Sequence, residues 1–127
     1  MTYQFIGIDH VQLAAPKECE EKARAFFQGI LGWTEIPKPK ALQAKGGVWF
    51  QAGHHQVHIG VQADFTPATK AHPAFEVEEL DTLRTHLLLN DICITDDEHR
   101  LDEGVKRFFI HDPFGNRIEF LEWKSNH

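Results

Sequence analysis

Apolar and polar positions alternate with a period of two along Phe5–Ala14, placing Ile6, Ile8 and His10 on one face and Gly7, Val11 and Leu13 on the other. That alternation predicts a β-strand. Behind Pro16 an acidic turn of Glu18, Glu20 and Glu21 suits a helix N-terminus. Cys19, Ala23, Phe26, Phe27 and Ile30 then recur at helical spacing, and Gly32 supplies the stop. Trp33–Ile36 reads as a second strand, "PKPKALQAKGG" as a loop, and Val48–Ala52 with Gln56–Gln62 as a hairpin around Gly53 and His54.

The same order then returns. His72–Val77 predicts a strand, with Pro73 tolerated near its start. Glu78 and Glu79 open a helix carrying Leu80, Leu83, Leu87 and Leu88, which closes at Asn90-Asp91. Ile92–Thr95 predicts a short strand and "DDEHRLDEG" a polar loop, and Arg107–His111 and Arg117–Trp123 form a last hairpin around "DPFGN". The chain therefore spells βαβββ twice: His10 and His72 stand 62 residues apart, as do Phe26-Phe27 and Leu88-Leu89, and His58 and Glu119 stand 61 apart. An internal repeat of this length predicts an α+β fold of two tandem modules, about 5–62 and about 71–123, within one domain spanning 1–127.

Composition narrows the function classes. With 127 residues, 42% hydrophobic and 25% charged, the chain can bury a core unaided. A net charge of −6 argues against nucleic-acid binding, and no apolar run reaches the length of a membrane span. The start "MTYQFIGIDHV" lacks the features of a secretory leader, and Cys19 and Cys93 form no motif together. These features point to a cytoplasmic protein with free thiols. Among nine histidines, His54 and His55 fall at the hairpin tip, His86 on a helix, His99 in the acidic loop, His111 beside the last turn and His127 at the end.

The remaining three are placed differently. His10, His58 and His72, together with Glu119, occupy the first or last strand of a module, on the face opposite the large apolar residues. Burying imidazoles and a carboxylate without partners costs roughly 2–7 kcal/mol per polar group and more for a charge. A divalent cation removes that cost, because neutral imidazole and carboxylate are its ordinary ligands. The pattern thus predicts one metal ion per chain, held by His10, His58, His72 and Glu119. Trp49, Gln51, Arg107 and Phe109 share that face on the middle strands and are candidate substrate contacts, with Arg107 as an anionic anchor. Packing of Trp49 and Phe109 against the other module or a second subunit is the alternative.

The segments "IDHVQLAAP", "ARAFFQGILGW", "AHPAFEV" and "FFIHDPFGNRIEFLEW" resemble the vicinal oxygen chelate superfamily, which includes glyoxalase I, extradiol dioxygenases, fosfomycin-modifying enzymes and bleomycin-resistance proteins. The resemblance covers Ile8–Trp123. It implies paired βαβββ units in an open, barrel-like mixed sheet around a metal cleft, with helices outside. It also implies ligands at His10, His72 and Glu119, and a fourth at the position of His58, where glyoxalase I has Glu or Gln. Zn, Ni, Mn and Fe all fit such a set.

Within the superfamily, His58 departs from the glyoxalase pattern and leaves more of the proton transfer to Glu119. Phe109 stands where the resemblance to extradiol dioxygenases implies tyrosine, and Gln12 where fosfomycin-modifying members carry threonine. The expected function is a glyoxalase-like metalloenzyme of lyase, isomerase or dioxygenase type. It would act on a small-molecule substrate that chelates the ion through oxygens, with Glu119 and His58 as the catalytic residues. The alternative is a bleomycin-resistance-like protein that sequesters a small molecule. A homodimer is the expected assembly, with neither nucleic acid nor membrane as partner.

Overall fold

The computed structural model describes residues 2–124, so His127 lies outside the described residues. The chain divides into two compact units, 1–65 and 66–127. The first contains β1 (His10–Ala15), a helix that starts as α1 (Glu20–Ala23) and continues with π-helical winding over Arg24–Ile30, β2 (Thr34–Ile36), a 3₁₀ segment (Lys40–Lys45), β3 (Val48–Ala52) and β4 (His55–Val61). The second contains β5 (Ala74–Glu76), α2 (Leu80–Leu89), β6 (Thr95–Asp97), a 3₁₀ turn (Leu101–Glu103), β7 (Val105–His111) and β8 (Arg117–Trp123). Each unit folds into an open four-stranded mixed sheet, ordered β1-β4-β3-β2 in the first and β5-β8-β7-β6 in the second.

The repeat read from the sequence is a repeat of register. In the first sheet His58 lies opposite Gln12 of parallel β1 and Trp49 of antiparallel β3. In the second, Glu119 lies opposite Ala74 of parallel β5 and Phe109 of antiparallel β7. Side chains alternate between faces, so His10, Gln12, Trp49, Gln56 and His58 share one side of the first sheet. Arg107, Phe109, Arg117 and Glu119 share one side of the second. The opposite sides carry the cores. Phe27 of the helix packs on Phe50 with ring centroids 5.6 Å apart, and Val48, Val57 and Ile59 are buried. In the second unit Leu80 and Leu87 of α2 are buried, as are Phe108, Ile110, Ile118 and Phe120.

Helix ends are tied to the sheets. The Glu122 carboxylate of β8 accepts from the Glu79 and Leu80 amides, both at 3.0 Å, and so caps α2 from outside the helix. Gly32, at φ +78°, ends the first helix as expected.

Several boundaries differ from the sequence expectation, for local reasons. The first strand begins at His10 rather than Phe5, because β4 begins at His55 and its pairing with β1 starts at His10 opposite Gln56. Tyr3, Phe5, Ile6 and Ile8 are left exposed. The strand expected from His72 begins at Ala74, although the Pro73 carbonyl already accepts from the Glu119 amide at 3.0 Å. The strand expected at Ile92–Thr95 lies at Thr95–Asp97, since the Ile92 amide turns back to the Leu87 carbonyl to finish α2. Leu88, expected on the buried stripe of α2, is exposed.

Candidate functional site

In the first unit the indole of Trp49, the imidazole of His58 and the imidazole of His10 form a three-ring stack across adjacent strands. Trp49 and His58 lie 3.6 Å apart, centroid to centroid, and 2° from parallel. His10 covers the other side of His58 at 4.1 Å and 17°. Such a stack follows from register, because His58 faces Trp49 directly and His10 lies diagonally across from it. His58 is buried, and its Nε2 stands 2.9 Å from Gln56 Oε1. Burial first, and then the neighbouring His10, push the His58 imidazole below its ordinary value of 6.5. The neutral ring is thereby favoured. His10 Nδ1 stands 2.9 Å from the Asp9 carboxylate, which leaves Nε2 as the nitrogen to offer a lone pair. A carboxylate behind a histidine is the usual support for a metal-ligating imidazole.

In the second unit His72 and Glu119 meet. His72 Nδ1 stands 2.9 Å from the Lys70 carbonyl, and its Nε2 2.9 Å from Glu119 Oε1. A carbonyl only accepts, so Nδ1 carries the proton. That leaves Nε2 as the nitrogen facing the Glu119 carboxyl group. Imidazole nitrogen and carboxylate oxygen are both ordinary ligands of a divalent cation, so His72 and Glu119 would be the residues to hold one here.

Glu119 is itself buried, and its Oε2 has no hydrogen-bond partner among the described residues. Arg107 Nη1 stands 3.5 Å from Oε1, and Nη2 donates to Asp97 at 3.3 Å, while the buried Arg107 Nε is also unpartnered among the described residues. An orphaned buried carboxylate oxygen is costly unless something positive is meant to meet it. The donor chemistry in both units therefore fits a divalent cation. Among the described residues, no three His, Cys, Asp or Glu side chains converge. The expected ligands stand as two pairs, His10 with His58 and His72 with Glu119.

The four expected substrate contacts separate. Trp49 lines a cavity and is half-buried. Gln51 spends its amide on the Gly53 carbonyl at 2.9 Å, inside its own hairpin. Phe109 is buried, with the Arg117 guanidinium 3.9 Å and that of Arg107 5.4 Å from its ring centre, and His72 edge-on at 5.1 Å. Arg107 is held between Asp97 and Glu119.

The model of the Glyoxalase/Bleomycin resistance protein/Dioxygenase superfamily matches residues 7–120. The chain belongs to this superfamily.

A glyoxalase family protein of known crystal structure from Bacillus anthracis is 50% identical, with TM-score 0.93 over 98% of this chain and 100% of that one. The lactoylglutathione lyase of Agrobacterium tumefaciens shares the fold at 20% identity, with TM-score 0.73 over 94% of this chain and 96% of that one. So does a mutant of the genomically encoded fosfomycin resistance protein FosX of Listeria monocytogenes, in a complex with Mn(II) and 1S,2S-dihydroxypropylphosphonic acid. It is 18% identical, with TM-score 0.77 over 96% of this chain and 95% of that one. A comparison with curated proteins finds no match.

In this glyoxalase-superfamily chain the sequence reading did not single out Asp9, Gln56, Asp97 or Arg117 as site residues. Parity offered a signal for Gln56 and Arg117, which lie two residues before His58 and Glu119 and so on their faces. The Asp97 contact had none, because the expected strand ended at Thr95.

Proposed function

We propose that this protein is a metal-dependent enzyme that moves a proton on a small substrate presenting neighbouring oxygens. The observation that carries this reading is the buried Glu119 carboxylate, with Oε1 against His72 and Oε2 unpartnered among the described residues. His10, His72 and Glu119 are the proposed ligands. His58 is proposed as a proton-handling neighbour of His10. Imidazole ligates in its own plane, and two stacked rings with centroids 4.1 Å apart and planes 17° from parallel do not aim their nitrogens at one ion. A fourth bond from His58 would require one ring to turn.

A bound divalent ion would polarise a substrate oxygen and stabilise negative charge developing on it. Glu119 takes the substrate proton and returns it through the carboxylate oxygen that a bound ion would leave free. Neutral His58 accepts or relays a proton, with its ring oriented by Gln56. Arg107, fixed by Asp97, offsets negative charge at the substrate, and Trp49 supplies an apolar face. A proton removed and returned needs no further reactant, as in an isomerisation, and a lyase-type outcome would in addition release a leaving group from the substrate. The dioxygenase alternative would additionally require molecular oxygen.

The identity of the ion, among Zn, Ni, Mn and Fe, follows from titrating each into stripped protein. One ion per chain is expected, abolished by His10→Ala or Glu119→Ala and only weakened by His58→Ala. Absence of binding for all four, together with capture of a planar drug by the metal-free chain, would replace this reading with sequestration.

We also propose a cytoplasmic homodimer. The free thiols Cys19 and Cys93 support the compartment. Among the described residues, no helix is long and apolar enough to cross a membrane. The exposed apolar run Tyr3, Phe5, Ile6 and Ile8 supports self-association.

A further inference from the structure

Trp49 lies against His58 and also lines a cavity of about 240 Å³ within the first unit. β4 contributes Gly60, β1 contributes Gln12, and the segment between β2 and β3 contributes Lys38, Leu42 and Lys45. The wall formed by that segment is fixed in place. Gly47, at φ +89°, packs so closely on β4 that a Cβ there would sit 2.1 Å from the Ile59 carbonyl oxygen. Its amide donates to the Glu20 carboxylate at 2.6 Å. Across the segment the Lys38 ammonium donates to the Gly46 carbonyl, and Gln43 Nε2 donates to the Lys38 carbonyl at 3.3 Å. On the inner side the absent side chain of Gly60 makes room for the Gln12 amide, since a Cβ there would sit 2.5 Å from Gln12 Nε2.

The charge of this cavity runs against that of the chain. The protein carries a net −6, yet no Asp or Glu is among the residues lining the cavity, whereas Lys38 and Lys45 both are. Glu20, beside Gly46, is turned to the Gly47 amide. Lys45 makes no ion pair among the described residues. Leu42 and the Trp49 ring supply apolar walls. At about 30 Å³ per water, the volume equals about eight waters, enough for an acid of roughly ten non-hydrogen atoms.

We propose that this cavity is an anion subsite, taking the carboxylate or phosphate end of a small, partly apolar substrate through Lys45 and Lys38 and setting its other end against Trp49, the ring stacked on His58. The adjacency comes from register, because Gln12 and Trp49 are the two residues directly opposite His58, and Gly60 follows it on the same face of β4. The inference rests on the proposed function for the reaction, though not for the binding of the anion.

Calorimetric titration of the full chain, stripped of metal and at low salt, tests it with phenylacetate, phenyl phosphate and uncharged phenylacetamide. At least one anion is expected to bind tenfold or more tightly than the amide, with affinity falling as salt rises; comparing the two anions shows which head group the site prefers. Lys45→Gln should weaken that anion at least threefold and Lys45→Glu at least tenfold, with Tm unchanged. Equal affinity for acid and amide, no binding of any of the three, or wild-type affinity in Lys45→Glu overturns the proposal. Anion binding that appears only when metal is restored, and ignores Lys45, also overturns it while leaving the metal-centred function standing. Lys45-dependent capture by a chain that binds no metal would do the reverse.

Discussion

Replacing Glu119 by Gln separates a carboxylate kept for structure from one kept for a cation. In the metal-free protein Glu119 is buried with Oε2 unpartnered among the described residues, at a cost of about 1–3 kcal/mol. Against that cost stand its contacts with His72 at 2.9 Å and Arg107 at 3.5 Å, hydrogen bonds to charged groups being worth about 1.5–3 kcal/mol each when well formed. The Arg107 contact is long, and Arg107 and His72 both retain some exposure. Gln keeps an acceptor for both neighbours and buries a neutral group instead of a charge. The opposing contributions nearly cancel, so metal-free Glu119→Gln should differ from wild type by about 1 kcal/mol or less in urea denaturation. Metal behaves differently. Free ion at a hundred times its Kd stabilises wild type by about 2.7 kcal/mol. For a domain of this length that corresponds to a rise of about 8–16 °C in Tm. The variant should show little of that rise. A metal-free loss of 3 kcal/mol or more would make Glu119 a structural carboxylate, and a full metal-induced rise in the variant would remove it from the ligand set.

Other expectations bear on the frame around the site. Gly47→Ala should cost on the order of 3 kcal/mol or more in urea unfolding, because it places a Cβ 2.1 Å from the Ile59 carbonyl oxygen at a positive φ. Burial, aided by Glu20, pushes the Cys19 thiol up, whereas Cys93 is exposed; one thiol should react rapidly with an aromatic disulfide in the native protein and two in denaturant. Burial likewise pushes the Asp112 carboxyl above its ordinary 3.8, so between that value and its folded value the unfolded chain binds fewer protons and wild-type stability falls as pH rises. Stability curves of wild type and Asp112→Asn should therefore converge or cross in that direction, and a parallel pair of curves would contradict it. Light scattering should find wild type as a dimer and Phe5→Asp/Ile6→Asp as a monomer; an unchanged dimer would exclude the N-terminal segment as the contact.

Much of the architecture was legible because it depends on periodicity. The two βαβββ modules, the 62-residue spacing of His10 and His72, and the shared face of Trp49 with His58 and of Phe109 with Glu119 all follow from strand alternation, which any stable sheet must obey. Alternation also places a histidine or a glutamate on a face without saying how its ring is turned or what fills its lone pairs. Tertiary contacts alone decided that His58 lies flat between Trp49 and His10, that Gln51 is spent on its own hairpin, and that Phe109 is closed over by arginines. Strand ends were equally beyond the pattern: an alternating run becomes a strand only where a neighbour supplies hydrogen bonds, which is why residues 5–9 stay outside β1. The segment "PKPKALQAKGG" reads only as a loop in the sequence, and the structure adds that Gly47 packs against Ile59 and that Lys38, Lys45 and Trp49 line one cavity. Local sequence determined which residues share a face, because that is geometry along one strand; which of them meet, and with what charge between them, depended on backbone packing between strands distant in sequence.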